Sequence, residues 1–254
     1  MKPRDHYRYT LHACLAAAPQ PRRGDCRRIA EAAMEPDAQP DYRVVCRVVG
    51  RRRRRIVCRR RKVRHHEREG LETGVEYLVE ARKLYMRGDD GYVRPLGRGI
   101  HYVQDHMVYR YRLLFDKRDH DEREALLSKA RPEEIGVEGL PEAPIPRRLY
   151  RLLKRPPYPR AERLPRAVYR VTVYLLRAFY TPSAPVFENY GLRALIHWSG
   201  ALAAGLATAA AIITLLGAAF WPLGLFAGLA GAALVDTLDE HYYALAFEKK
   251  WLGR

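Results

Sequence analysis

Between Leu192 and Val235 the chain reads LRALIHWSGALAAGLATAAAIITLLGAAFWPLGLFAGLAGAALV, nearly all of it apolar or small. No other stretch limits the fold as strongly. A helix needs about twenty apolar residues to cross the hydrocarbon of a bilayer, and this run holds two such lengths. The expected arrangement is two passes that turn between Gly217 and Pro222. Ala201 with Gly205, and Gly224 with Gly228, place small residues four apart, which lets two helix backbones approach closely. Arginines precede the first pass and EKKW follows the second, so the bias of positive charge toward the inside predicts that both ends are cytoplasmic. His197 reads as an interfacial residue, and Asp236, Asp239, Glu240 and His241 as the polar end of the second helix.

The remainder of the 254 residues has room for one good core or two smaller modules. The net charge is +17 with histidines neutral, and arginine is its main source. RRRRRIVCRRRKVR, at 51–64, carries ten basic residues and no acid. Such a run can meet the phosphates of nucleic acid or of an anionic membrane, or serve as a solvated charge network that favours heat stability. Cys14, Cys26, Cys46 and Cys58 are too widely spaced for a zinc knuckle. Reduced thiols or one or two disulfides fit equally well, the latter inside cells mainly in hyperthermophiles. The N-terminal stretch MKPRDHYRYTLHACLAAAP lacks the apolar run of a signal peptide, which predicts a cytoplasmic N-terminal region.

Short helices are expected over 6–18 and 26–35, and a longer one over 71–89 with an apolar stripe through Leu71, Val75, Leu78 and Ala81. Residues 42–62 fit either a hairpin turning near Gly50 or irregular helix. A helix from about Pro95 would turn Ile100, Val103, Met107 and Tyr111 toward a core, and another begins near Asp119. Proline and arginine dominate 131–165, which reads as a linker with one short basic helix, LYRLLKR. RAVYRVTVYLLRAFY, at 166–180, carries a narrow arginine stripe and fits either a helix in the membrane interface or one packed on the soluble domain. The fold class expected is all-α. A helical metal-binding domain over 1–130 precedes a linker over 131–191 and a transmembrane hairpin over 192–247.

Two segments place a histidine four residues ahead of a carboxylate. They are GIHYVQDHMV at 99–108 and HDERE at 120–124. On a helix, positions four apart share a face, so His101 with Asp105 and His120 with Glu124 each present a ring nitrogen and a carboxylate to one point. That mixture suits zinc or another first-row divalent ion. A surface ion pair is the simpler account of either pair alone.

LGRGIHYVQDHMV followed by HDERE resembles the zinc-dependent phospholipase C and single-strand-specific nuclease superfamily. In that family a His-Tyr-x-x-Asp helix is followed by a His-x-x-x-Glu helix, and EARKLYMRGDDGYVRPLGRGI is similar to the lead-in. The resemblance covers roughly residues 6–125 and is specific around 80–124. It implies an all-helical domain that holds two or three zinc ions against a phosphate ester. His101 and Asp105 would then ligate the zinc pair, and His120 and Glu124 the neighbouring ion. From PDAQPDYR the upstream aspartate is assigned to Asp41 rather than Asp37, and from RHHERE the histidine to His66 rather than His65. His6, with His12 as a rival, matches the histidine at the head of the first helix. Asp105 could bridge two ions, and Asp37 could serve as general base. The chain departs from the family twice. Its first residues, MKPRD, show no cleavage that would expose a ligating amine, and Tyr111 stands where a further histidine falls, with His106 as a substitute on another face.

The function expected is therefore a membrane-anchored, zinc-dependent phosphoester hydrolase. Its partners would be a lipid membrane and a phospholipid or nucleic-acid substrate. Two alternatives accompany it. One is an HD-type phosphohydrolase built on His120–Asp121, and the other is a basic membrane-tethered module that binds nucleic acid or lipid without catalysis.

Overall fold

The computed structural model describes residues 1–17, 23–49, 55–108, 117–183 and 190–253. Residues Met1–Ser183 form one compact unit and Ala184–Leu252 a second. Gly50, Arg51 to Arg54 and Tyr111 lie outside the described residues.

The first unit is built on α5, Val93–Val108. Its residues Leu96, Ile100, Val103 and Met107 recur at helical spacing and are buried. Around it pack α1 (Pro3–Ala16), α2 (Arg23–Ala32), α4 (Arg68–Met86) and α8 (Leu164–Tyr180). Gly97 sets the distance to α2. A Cβ at that position would collide with the Ile29 carbonyl and with Ala32, so only glycine lets the end of α2 approach the middle of α5. The short α3 (Glu35–Ala38) follows α2. Next come strands β1 (Tyr42–Val49) and β2 (Arg55–Lys62), an antiparallel ribbon with Cys46 opposite Cys58. The all-helical expectation is thus modified by one hairpin, whose strands are rich in β-branched valine and isoleucine. Helices α6 (Lys117–Lys129) and α7 (Pro146–Lys154) complete the unit.

Residues 131–183 belong to this unit, and of the two placements that the pattern of 166–180 allowed, α8 takes the packed one. Val168, Val171, Leu175, Leu176 and Phe179 of α8 are buried. The arginine stripe has a local use. Arg170 donates to the carbonyls of Gly136 and Glu138, and Arg177 to those of Leu140 and Pro141. A proline-rich segment forms few backbone ladders, so side-chain donors satisfy its carbonyls.

Two disulfides close loops of equal length. Cys14–Cys26 joins α1 to α2, and Cys46–Cys58 crosses the ribbon. Each removes unfolded-chain freedom worth about 3 kcal/mol in the chain-entropy account.

In the second unit, α9 (Tyr190–Leu216) and α10 (Trp221–Leu238) are long and apolar enough to span a membrane. Leu202, Leu206, Leu225, Phe226 and Leu229 point outward, as lipid-facing residues would. Gly217, with φ +89°, makes the turn that few other residues adopt. Ala201, Gly205, Gly224 and Gly228 are buried along the seam. At the polar end His197 is buried, with Nδ1 3.0 Å from Asp239 and Nε2 2.9 Å from Asp236. Arg193 reaches Asp239, Tyr243 reaches Asp236, and Tyr242 stacks on the imidazole. His197 and the two acids therefore form one staple between α9 and the end of α10, rather than separate interfacial groups. Helix α11 (Glu240–Trp251) follows, capped by the Asp239 carboxylate.

A Cβ on Gly228 would lie 2.7 Å from the Gly205 carbonyl, whereas one on Gly200 meets nothing within 4 Å. Gly228→Leu should therefore lower the thermal midpoint of the detergent-solubilised protein, a loss of about 1–3 kcal/mol from overpacking. Gly200→Leu should leave the midpoint unchanged or raise it. Equal behaviour of the two variants would show that the seam is not closely packed.

Candidate metal centre

Asp105, on the buried face of α5, gathers donors from the N-terminus, α1, the loop before α4 and its own helix. Its Oδ1 lies 2.6 Å from the Met1 amine and 3.1 Å from His6 Nε2. Its Oδ2 lies 3.2 Å from His65 Nδ1 and 3.3 Å from His101 Nε2. Asp37, on α3, stands 3.9 Å from both His65 and His101 and is partly open to solvent. Asp37, His65, His101 and Asp105 form a group that could hold a metal ion. Zinc held tetrahedrally by nitrogen and oxygen at 2.0–2.1 Å keeps neighbouring ligands about 3.3 Å apart. The separations here begin at 2.9 Å between His101 and His65, and all four donor atoms lie within 4.8 Å of one another, somewhat wider than that value.

The hydrogen-bond network decides which ring nitrogens face inward. His101 Nδ1 is 2.9 Å from the Ala33 carbonyl, so it carries the proton and leaves the Nε2 lone pair toward Asp105. The close approach of α2 at Gly97 is what brings that carbonyl within reach. His6 follows the same logic at one remove. The Thr172 hydroxyl donates to the Val168 carbonyl and therefore accepts from Gln104 Nε2. This turns Gln104 Oε1 to His6 Nδ1 at 2.7 Å, and the His6 Nε2 lone pair again faces Asp105. Metal-ligating histidines are oriented this way by a second acceptor. Lone pairs aimed at a carboxylate across 3.1 to 3.3 Å repel unless a proton or a cation lies between them. Burial, with His101 beside it, holds the His6 imidazole down to about 3, so a proton is a poor partner near neutral pH and a cation suits the donor set.

Burial opposes ionisation of Asp105, yet the Met1 ammonium beside it overcomes this and holds its pKa well below the usual carboxylate range. Burial likewise opposes the Met1 ammonium, but Asp105, Glu124 and Asp37 hold its pKa above the ordinary amine value. Burial, with the Asp105 charge, raises Asp37.

Helix α6 lies beside the group. Glu124 is 3.3 Å from the Met1 amine and 3.7 Å from His120, and the His66 ring stands 5.4 Å from that of His120. Arg123 fixes this face. It is buried, donates to the carbonyls of Met107, Val108 and Pro159, and lies over the Tyr158 ring. Ser128 bonds Asp5, which ties the far end of α6 to α1.

Several expectations change here. Asp41 does not face the group, because its carboxylate accepts from Tyr77, Tyr102 and Arg98. Asp37 occupies the inward position instead. Of the His65–His66 pair, His65 joins the four-residue group, while His66 bonds the Asp105 carbonyl and turns toward His120. His12 is on the other side of α1, near Glu133. The first residue's amine, expected to be absent or replaced, lies against Asp105. Met1, Gln104 and Arg123 were not singled out in the sequence. Only Gln104, one residue before Asp105 on a motif helix, offered a local signal.

A cleft of about 590 Å³ adjoins the group at His106, the residue after Asp105. It is also lined by Leu71, Val75, Tyr150, Leu153 and Arg68. Searches against protein-family models, curated proteins and solved structures returned no match, so the functional reading rests on this geometry and on the motifs.

Equilibrium dialysis of the purified protein against zinc should show metal retained by the wild type and lost in His101→Ala and Asp105→Asn. Gln104→Leu should weaken retention about 10–100-fold while helix content is unchanged. Undiminished retention in Asp105→Asn would rule out this group as the site.

Proposed function

We propose that the chain is a membrane-anchored, zinc-dependent phosphoester hydrolase that acts on phospholipid headgroups or other phosphodiesters. The observation that carries this reading is the division of Asp105, whose two oxygens face two separate donor groups. Asp37, His65 and His101 stand on one side, and Met1 and His6 on the other. A carboxylate shared in this way suits two neighbouring ions, the second once the Met1 ammonium has given up its proton, and His120 with Glu124 supplies donors for another.

Bound zinc would supply water deprotonated near neutral pH and would polarise a phosphoryl oxygen. The chain's residues do the rest. His101 and His6 are held in one tautomer by Ala33 and Gln104, so their donor atoms need no rearrangement as ligands. Asp37 is the most solvent-open carboxylate of the group, and with a raised pKa its Oδ1 suits it to take a proton from an attacking water. The adjoining cleft has the size and apolar lining for the non-reacting part of an ester substrate.

The HD-type alternative is weakened because Asp121 is largely exposed and lies outside the four-residue group around Asp105. Both ends of the transmembrane hairpin would leave the membrane on one side. The charge bias places that side in the cytoplasm, whereas the two disulfides fit an oxidising compartment or a hyperthermophile's cytoplasm.

The protein in nanodiscs should hydrolyse phosphodiesters, tested with phospholipids and short single-stranded oligonucleotides. Asp37→Asn should lower kcat about 10²-fold or more with metal content retained, as loss of a general base predicts. Metal loss in that variant would make Asp37 a ligand, and no hydrolysis of either substrate by zinc-loaded wild type would defeat the proposal.

A further inference from the structure

The β1–β2 ribbon has two unlike faces. On one, Arg43 pairs with Glu72 and Glu76, and Arg61 with Glu69, so this face is tied to α4. The other carries Tyr42, Val44, the Cys46–Cys58 bridge, Ile56, Arg60 and Lys62, which the register places together. Side chains there are open to solvent, with Val44 67% and Ile56 73% exposed. Two large aliphatic side chains on a ribbon held by a disulfide gain nothing from the fold that displays them. Exposed apolar groups ringed by cations mark an interaction surface.

We propose that this open face docks on an anionic membrane surface, with Val44 and Ile56 entering the headgroup boundary and Arg60 and Lys62 meeting lipid phosphates. The chemistry of the face favours lipid over nucleic acid. Its centre is aliphatic and gains from leaving water. The nearby aromatic, Tyr42, is covered by Arg60 at 5.2 Å and is not presented as a stacking platform for bases. The arginine and lysine side chains have apolar stems that can lie along such a boundary while their charges stay with phosphate. The chain also carries two helices of membrane-spanning length, so a bilayer is its expected surroundings. This inference does not depend on the metal centre.

Phenylglyoxal labelling of arginines, read by mass spectrometry on the full chain in nanodiscs, tests it. Arg87 and Arg151, exposed elsewhere on the first unit, serve as internal references. In discs containing phosphatidylglycerol, labelling of Arg60 should slow about fivefold relative to phosphatidylcholine discs, the size expected for one cation at an anionic surface. The Val44→Asp, Ile56→Asp double variant should lose that protection with both disulfides intact. Equal labelling in the two kinds of disc overturns the proposal. So does protection that survives in the double variant, or protection that appears only when a single-stranded oligonucleotide is added.

Discussion

A single buried carboxylate organises the first unit. Asp105 is nearly sealed from solvent, and an isolated carboxylate in such a place would be strongly disfavoured. It stays ionised because cationic and hydrogen-bonding groups from the N-terminus, α1, the loop before α4 and its own helix converge on it. Removing those groups would leave a buried charge without compensation, which is costlier than losing an ordinary contact. The packing of α1 against α2, α5 and α8 and the electrostatics of the site therefore depend on each other.

A second layer explains how flexible side chains come to rest in one arrangement. Gln104, Thr172, Val168 and Ala33 fix the two buried imidazoles, and Arg98 joins Glu35 on α3 to Asp41 at the start of β1. Asp41 thereby has a structural use. Held by two tyrosines and an arginine, it anchors the segment from which Asp37 is presented. Burial, with the hydrogen bond to Asp41, raises the Tyr102 phenol, which stays a donor over the whole physiological range.

The second unit and the ribbon are built on different physics. The first unit relies on burial and a charged centre, whereas α9 and α10 expose their apolar residues and meet along a glycine and alanine seam. The ribbon has neither a core nor a lipid-length helix. A disulfide and three ion-paired glutamates hold it, which suits a two-stranded element that would be marginal alone.

Local periodicity determined much of this protein. The apolar run set the two membrane-length helices and their seam, and the stripe in 93–108 set the central helix with His101 and Asp105 on one side of it. Both follow from rules that act within a few residues. Choices between near neighbours did not. Asp37 against Asp41 and His65 against His66 differ by a few positions in loops and a single-turn helix, where no period tells which side chain points inward. Residues 166–180 carry a pattern that suits a bilayer surface and a protein core alike, and only the carbonyls of 136–141 explain their arginines. The place of the Met1 amine has no sequence signature at all, because it depends on where α1 packs against α5 and α6. The sequence determined which groups were available and which helices carried them. The tertiary structure decided which groups meet, because burying one carboxylate requires a particular set of partners to arrive from distant parts of the chain.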